Sequence, residues 1–189
     1  MNKQKIITVT AGHSNTGKID SGAVTKDKDG NLIKEADLAV LFRNAVVSYL
    51  QKHKDVHVRV DGYGQTNLPL SEAIKLIDGS DVAVEWHMNT SSNASANGVE
   101  TIALPKDKAL AQKLSGAIAS VFGSKVRGDK GWIDQSASAR GKLGFVQNKG
   151  LIVEIGFISN EKELAMFNEK YWLAAKAVSE VILKHVGVI

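Results

Sequence analysis

Hydrophobic residues along this chain recur in two periods, and the alternation between them sets out a series of strands and helices. Residues 5–10, KIITVT, are dense in β-branched side chains and predict a first strand. Over residues 35–53, Leu38, Leu41, Phe42, Ala45, Val46, Tyr49 and Leu50 return every three or four positions, as one buried face of a helix does. Residues 56–61, VHVRVD, alternate: Val56, Val58 and Val60 fall on one side, His57, Arg59 and Asp61 on the other. A short helix is expected over 69–77, with Pro69 at its start. Residues 81–88, DVAVEWHM, predict a strand in which Ala83, Glu85 and His87 share a face opposite Val82, Val84 and Trp86. A strand over 99–104, a helix over 106–122 and a short strand over 143–146 follow. Residues 150–157 form a nearly continuous apolar run, expected as a strand buried on both faces. Residues 161–185 predict a closing helix, with Leu164, Phe167, Tyr171, Trp172, Ala175, Val178, Val181 and Ile182 inward.

Strands alternating with helices imply one α/β domain over residues 1–189: a twisted, mostly parallel sheet of about six strands with helices on both faces. No repeat or low-complexity linker divides it. Three tracts are expected as loops. Residues 16–34 are too long a connection to be idle, and residues 89–98, NTSSNASANG, are too polar for a core element. Residues 123–142 carry Lys125, Arg127, Lys130, Arg140 and Lys142 against Asp129 and Asp134, with Trp132 among them. That loop suits contact with an anionic, amphipathic ligand.

Composition narrows the chemistry. There is no cysteine, so any metal must be held by His, Asp or Glu. No stretch is long and apolar enough to span a membrane, and the apolar run after Lys5 is too short for a signal-peptide core. Synthesis in the cytoplasm without a signal peptide is expected. A net charge of +4 leans weakly toward polyanions, but no helix-turn-helix or aromatic-lined sheet motif supports nucleic acid.

Glu154 lies in the middle of the apolar run 150–157, where a lone carboxylate is costly unless paired, protonated or beside a cation. It is either half of a structural ion pair or a catalytic group. Directly behind it, Asn160 and Glu163 have the spacing of a capping box, so the strand leads tightly into a helix. In open α/β sheets ligands bind at that end. His13 follows the first strand and His87 ends another, whereas His53, His57 and His185 fall on helix ends or an outward strand face. Glu35, opening a helix, can reach the same edge. Two histidines and one carboxylate make a catalytic zinc set with a position left open, and a further carboxylate is what zinc hydrolases use as proton acceptor.

Four blocks carry a family resemblance: the first strand followed by AGHS with DSGA behind it, KEADLAV, EWHMN, and IVEIGFISN. On these the chain resembles the zinc-dependent N-acetylmuramoyl-L-alanine amidases of phosphorylase/hydrolase-like fold, found as bacterial wall enzymes and phage endolysins. The resemblance implies one Zn²⁺ bound by His13, Glu35 and His87, with Glu154 as the catalytic carboxylate. It implies hydrolysis of the amide between N-acetylmuramic acid and L-alanine of peptidoglycan. Glu85 stands where a small residue is common and is expected beside the ligands rather than on the metal. Substrate contacts are expected from Asn89, Arg127, Trp132 and Arg140. A monomer is expected, with peptidoglycan as partner, no nucleic acid and no stable membrane insertion. A single domain without signal peptide fits a phage or prophage endolysin that acts on the wall after release, and fits equally an effector delivered by a secretion machine. A zinc carboxypeptidase-like peptidase is the enzymatic alternative, but its usual ligand Glu shortly after the first His is missing from residues 14–19. A non-catalytic peptidoglycan-binding module is disfavoured by the complete set.

Overall fold

A computed structural model describes residues 3–138 and 141–189. In chain order the elements are β1 (Lys5–Ala11), β2 (Val24–Lys26), β3 (Leu32–Lys34), α1 (Glu35–Leu50), β4 (Val56–Val60), α2 (Leu70–Lys75) and β5 (Val82–Asn89). They continue with β6 (Glu100–Ala103), α3 (Lys108–Phe122), β7 (Trp132–Asp134), α4 (Gly144–Gln147), β8 (Leu151–Phe157) and α5 (Glu161–His185). Six strands form one sheet in the order β4-β1-β5-β8-β6-β7. The β4, β1, β5 and β8 strands run parallel, and β6 pairs antiparallel to β8. The expected α/β architecture is therefore present in a single layered unit.

The helices divide unequally between the two faces. On one face Ile7, Val9, Val84, Trp86, Leu151, Val153 and Ile155 pack against Phe42 and Val46 of α1, Leu114 and Ile118 of α3, and Phe167, Ala175 and Val178 of α5. Phe42 meets Trp86 edge-on at 4.9 Å and Phe167 at 6.2 Å, closing that core. Among the described residues the other face has only the short α2 and α4, whose Ala73, Phe145 and Val146 cover Ala83, Ile102 and Ile152. Toward the C-terminal ends of β5 and β8 this second face stays uncovered. Ile152 and Glu154 alternate with Leu151, Val153 and Ile155, so they point to the thinly covered side. Glu154 is consequently half-buried, not enclosed on both faces as its apolar neighbours suggest.

Four local expectations are corrected. Residues 143–146 belong to a helical turn, α4, rather than a strand. The tract 16–34 is not wholly irregular, because β2 and β3 pair as a hairpin. Residues 123–142 contribute β7, which adds to the sheet edge beside β6. Asn160 does cap α5, accepting from the backbone of Lys162 and Glu163, but Glu163 does not complete a capping box. Its carboxylate instead accepts from Phe157 N at 2.8 Å, Gly98 N at 2.9 Å and Ser124 Oγ at 3.0 Å, pinning the end of β8 to two loops.

A buried polar network supports the loop after β1. Arg43 of α1 and Asp61 are fully buried and joined at 2.8 Å, and Asp61 also accepts from Ala11 N at 3.1 Å. Burial pushes the Asp61 carboxyl up to about 6 against the opposing pull of the guanidinium. Arg43 Nη2 donates further to Thr66 O at 2.9 Å, fixing the turn that presents Asn67.

Candidate metal centre and cleft

A cleft of about 690 Å³ opens over the uncovered face, lined by His13, Asp20, Glu85, His87, Glu154, Asn89, Glu100 and Arg127 on its polar side. Pro69, Leu70, Ile102, Ile133, Leu143 and Phe145 make its apolar wall.

His13 stands one residue past Gly12, in the left-handed region at φ 67°. That conformation is unfavourable for a residue with a Cβ, and the surroundings hold it. Asn67 Nδ2 donates to the carbonyls of Gly12 at 3.1 Å and His13 at 3.0 Å, with Ala11 O at 3.4 Å. Asn67 Oδ1 accepts from Asn15 N at 2.8 Å. The imidazole then lies with Nδ1 3.0 Å from Asp20 and Nε2 3.0 Å from Glu35 Oε2.

Glu35 begins α1 and is almost fully buried. Its Oε1 lies 2.9 Å from His87 Nδ1 and accepts from Met88 N at 3.0 Å, while Oε2 accepts from Ala23 N at 2.8 Å. The other nitrogen of His87, Nε2, is 3.0 Å from Glu85. Each imidazole is thus held on its far side by a carboxylate, Asp20 or Glu85, and turned toward Glu35 on its near side. Such outer carboxylates orient histidine ligands at metal sites. Glu85 therefore touches His87 on the side away from Glu35. Asp20 plays the matching part for His13, and sequence reasoning gave it no role although its DSGA block was noticed.

Charge reflects this packing. Burial alone would raise the Glu35 carboxyl, yet the two imidazoles hold it far below the ordinary carboxylate range. Burial disfavours cationic His87, but hydrogen bonds and charge from Glu35, Glu85 and Glu154 raise it well above an ordinary histidine. His13 shows the same balance more mildly, with Glu35 outweighing burial.

The residues fit a metal. One ligand atom from each of His13, Glu35 and His87 lies within 4.8 Å of the others. His13 Nε2 is buried without a hydrogen-bond partner among the described residues, although it faces Glu35. The cradle is also closed to bulk: a Cβ on Gly12 would fall 2.2 Å from the His87 ring, and one on Gly22 2.5 Å from both Glu35 and His13. Two imidazoles and a carboxylate form a set that zinc binds, with room for a fourth ligand.

Glu154 lies beside this cluster. In the β5–β8 ladder it is the direct partner of His87, and in β6–β8 it opposes Glu100. Asn89 and Arg127 line the same cleft. Trp132 does not. Its indole lies in β7, donates Nε1–H to Ala103 O at 3.1 Å and carries Lys108 Nζ at 4.6 Å over the ring, so it serves the sheet edge. The substrate contact expected of Trp132 is therefore not one that the cleft provides. Lys125 and Lys130 are exposed and do not line the cleft. Arg140 lies outside the described residues.

An open α/β sheet with a two-histidine, one-carboxylate cluster at its strand ends and a carboxylate alongside is the arrangement of a mononuclear metal hydrolase. The family model for N-acetylmuramoyl-L-alanine amidase (Amidase_3) matches residues 7–184. A protein of Neisseria meningitidis described as an N-acetylmuramoyl-L-alanine amidase is 41% identical, over 97% of this chain and 96% of that one, at a TM-score of 0.85. The chain belongs to the N-acetylmuramoyl-L-alanine amidase family. The catalytic domain of the N-acetylmuramoyl-L-alanine amidase CwlV from Bacillus (Paenibacillus) polymyxa shares the fold at TM-score 0.81 and 24% identity, over 98% of this chain and 100% of that one. So does the catalytic domain of an endolysin targeting Clostridia difficile, at 0.66 and 18%, over 96% and 98%. Among curated proteins none matches the chain significantly.

Proposed function

We propose that this chain is a zinc-dependent peptidoglycan hydrolase that cleaves the amide between N-acetylmuramic acid and L-alanine of the stem peptide. The observation that carries the reading is the His13–Glu35–His87 cluster with Glu154 paired to His87 on the adjoining strand. His13, Glu35 and His87 would hold one Zn²⁺. Bound there, the metal supplies Lewis acidity toward the amide carbonyl and the attacking water.

The chain's own groups do the rest. Asp20 and Glu85 fix the two imidazoles, so that the nitrogens near Glu35 keep their direction. Glu154 accepts the proton of the attacking water and hands it to the departing nitrogen of L-alanine. The apolar wall of Ile102, Ile133 and Phe145 limits water access on one side, which strengthens the electrostatic interactions inside. Asn89 and Arg127, which also line the cleft, contact substrate. A lytic role in a phage or prophage belongs to the same proposal; lysis of purified walls by the purified protein tests it.

The deciding experiment is Glu154→Gln. Gln is nearly isosteric and keeps the strand's backbone pairing, so the fold is retained. Zinc content, read by elemental analysis, stays near one per chain. Turnover of an N-acetylmuramoyl-L-alanyl peptide falls by roughly 10²-fold or more, as loss of a general base requires. A zinc-loaded Glu154→Gln protein that keeps most of its turnover overturns the role.

A further inference from the structure

Amide hydrolysis at this centre fixes a direction across the cleft. The carbonyl oxygen faces the His13–Glu35–His87 cluster and the departing nitrogen faces Glu154. The stem peptide therefore leaves the centre on the Glu154 side, which runs over β6. Directly opposite Glu154 on β6 is Glu100, and Glu100 holds Arg127: Nε donates to Glu100 Oε2 at 2.6 Å. Arg127 Nη1 donates to Asn97 O at 3.3 Å, and the guanidinium lies 5.0 Å from the centroid of the Phe157 ring. Asn89 Nδ2 donates to the second oxygen of Glu100 at 3.0 Å, so the carboxylate that orients Arg127 is itself fixed. Asn89, Glu100, Arg127 and Phe157 all line the cleft.

A carboxylate edge, a carbonyl and an aromatic face thus set the plane of the Arg127 fork. These contacts engage only part of its five-donor set. Glu100 stands about one strand spacing, ~5 Å, beyond Glu154, and Arg127 lies a hydrogen bond further out. One residue of extended peptide spans about 3.3–3.6 Å. The group that arrives at Arg127 is therefore carried by the second stem residue, not the first. Arg127 is the cation paired with Glu100 at this point of the cleft. Lys18, the other lysine or arginine lining the cleft among the described residues, follows β1 on the far side of β5.

We propose that Arg127 is a specificity-determining residue that binds a free carboxylate on the second stem residue, selecting acidic stem peptides over those carrying a carboxamide there. The planar fork suits two carboxylate oxygens, whereas a carboxamide offers one acceptor and sets its N–H groups against the donors. The inference rests on the amidase reading and adds a substrate class to it.

The test uses zinc-loaded protein and two synthetic N-acetylmuramoyl peptides, identical except for a carboxylate or a carboxamide on the second residue. Wild type is expected to favour the acid in kcat/KM by about tenfold or more, the range for a charge-assisted hydrogen bond. In Arg127→Gln the ratio of the two kcat/KM values falls to within about twofold of one, the loss residing mainly in KM for the acid. A ratio is insensitive to a uniform loss of folded enzyme. Equal cleavage of both peptides by wild type leaves the amidase reading standing and overturns the role of Arg127, with no variant needed. A preference that survives in Arg127→Gln also overturns it. If wild type cleaves neither peptide, the amidase reading fails and the inference falls with it.

Discussion

Replacing Asn67 by Ala tests how the fold positions its first histidine. Asn67 is fully buried and lies far from the reacting groups in sequence, yet its side chain ties three carbonyls and one amide of the loop after β1. The alanine would leave the Gly12 and His13 carbonyls without their donor and Asn15 N–H without its acceptor. Each stranded buried group costs about 1–3 kcal/mol, less where water re-enters from the cleft. A loss of about 3 kcal/mol in unfolding free energy follows. The consequence for metal is separate. His13 sits at φ 67°, a conformation costing about 1–2 kcal/mol for an L-residue with a side chain. With the clamp removed the loop relaxes to an ordinary φ, and the imidazole turns away from Glu35. Recovering the binding conformation must then be done by the metal, which weakens zinc binding about tenfold, since 1.4 kcal/mol is a factor of ten.

Two measurements separate the effects: denaturant unfolding of metal-free protein, and zinc affinity by competition with a chelator under conditions where both proteins are folded. Both should fall. Unchanged zinc affinity, within about twofold, in an Asn67→Ala protein that has lost stability would refute the clamp and leave Asn67 as fold support alone.

The remaining predictions concern the frame of the same site. Arg43→Met strands Asp61 in the core and should cost about 3–5 kcal/mol by denaturant unfolding at neutral pH. The sign with pH is fixed. Burial pushes Asp61 up to about 6 in the folded protein from an ordinary 3.8, so its cost is fully present above about pH 6 and relieved as pH falls toward 3.8. The raised pKa climbs further without Arg43, so the gap between Arg43→Met and wild type should narrow on acidification; a gap that widens contradicts the account. Gly22→Ala drives a Cβ to 2.5 Å from Glu35 Oε2 and the His13 ring, and should lose zinc. Gly30→Ala has a similar positive φ of 86° but nothing within 4 Å, so it should keep zinc and show only the backbone strain. Equal zinc contents in the two variants would show that the cradle is looser than its geometry.

Much of the sheet was legible because its strands alternate or run apolar over at least four residues, and the helices repeat over fifteen or more. The misread segments are short. Gly144–Gln147 holds Phe145 and Val146, which read as a strand by residue type; the cap of α2's floor turns them into one helical turn. Trp132–Asp134 offers three residues, too few for a period, and pairs only because β6 presents an edge. His13 and His87 could be placed at one sheet edge because each ends a strongly patterned strand, with Glu35 within reach at a helix start, but the ligand set itself came only from the family resemblance. Asn67 and Asp20 could not. An Asn or Asp in a turn-rich tract is the ordinary punctuation of a loop, and only the fold shows that these two side chains reach back to the histidine loop.

Glu154 shows how the sequence misleads and informs at once. Its neighbours Ile152, Val153, Ile155 and Phe157 suggest burial on both sides, and each of them is buried. What the pattern does not carry is the unequal distribution of helices. The α1, α3 and α5 helices all lie on the face of Val153 and Ile155, while α2 and α4 stop short of the strand ends on the other. The apolar character of Ile152 is satisfied by Phe145 of α4; one step of alternation further on, Glu154 meets the cleft. A carboxylate placed there keeps an apolar floor beneath it and solvent access above it. In the proposed role it would exchange protons with a water while its strand stays locked in the sheet by Glu163 at one end and the core at the other. Rigidity of the strand and openness of a single residue on it therefore come from the same asymmetry, and filling the cleft by extending α4 would be expected to remove the function while leaving the fold intact.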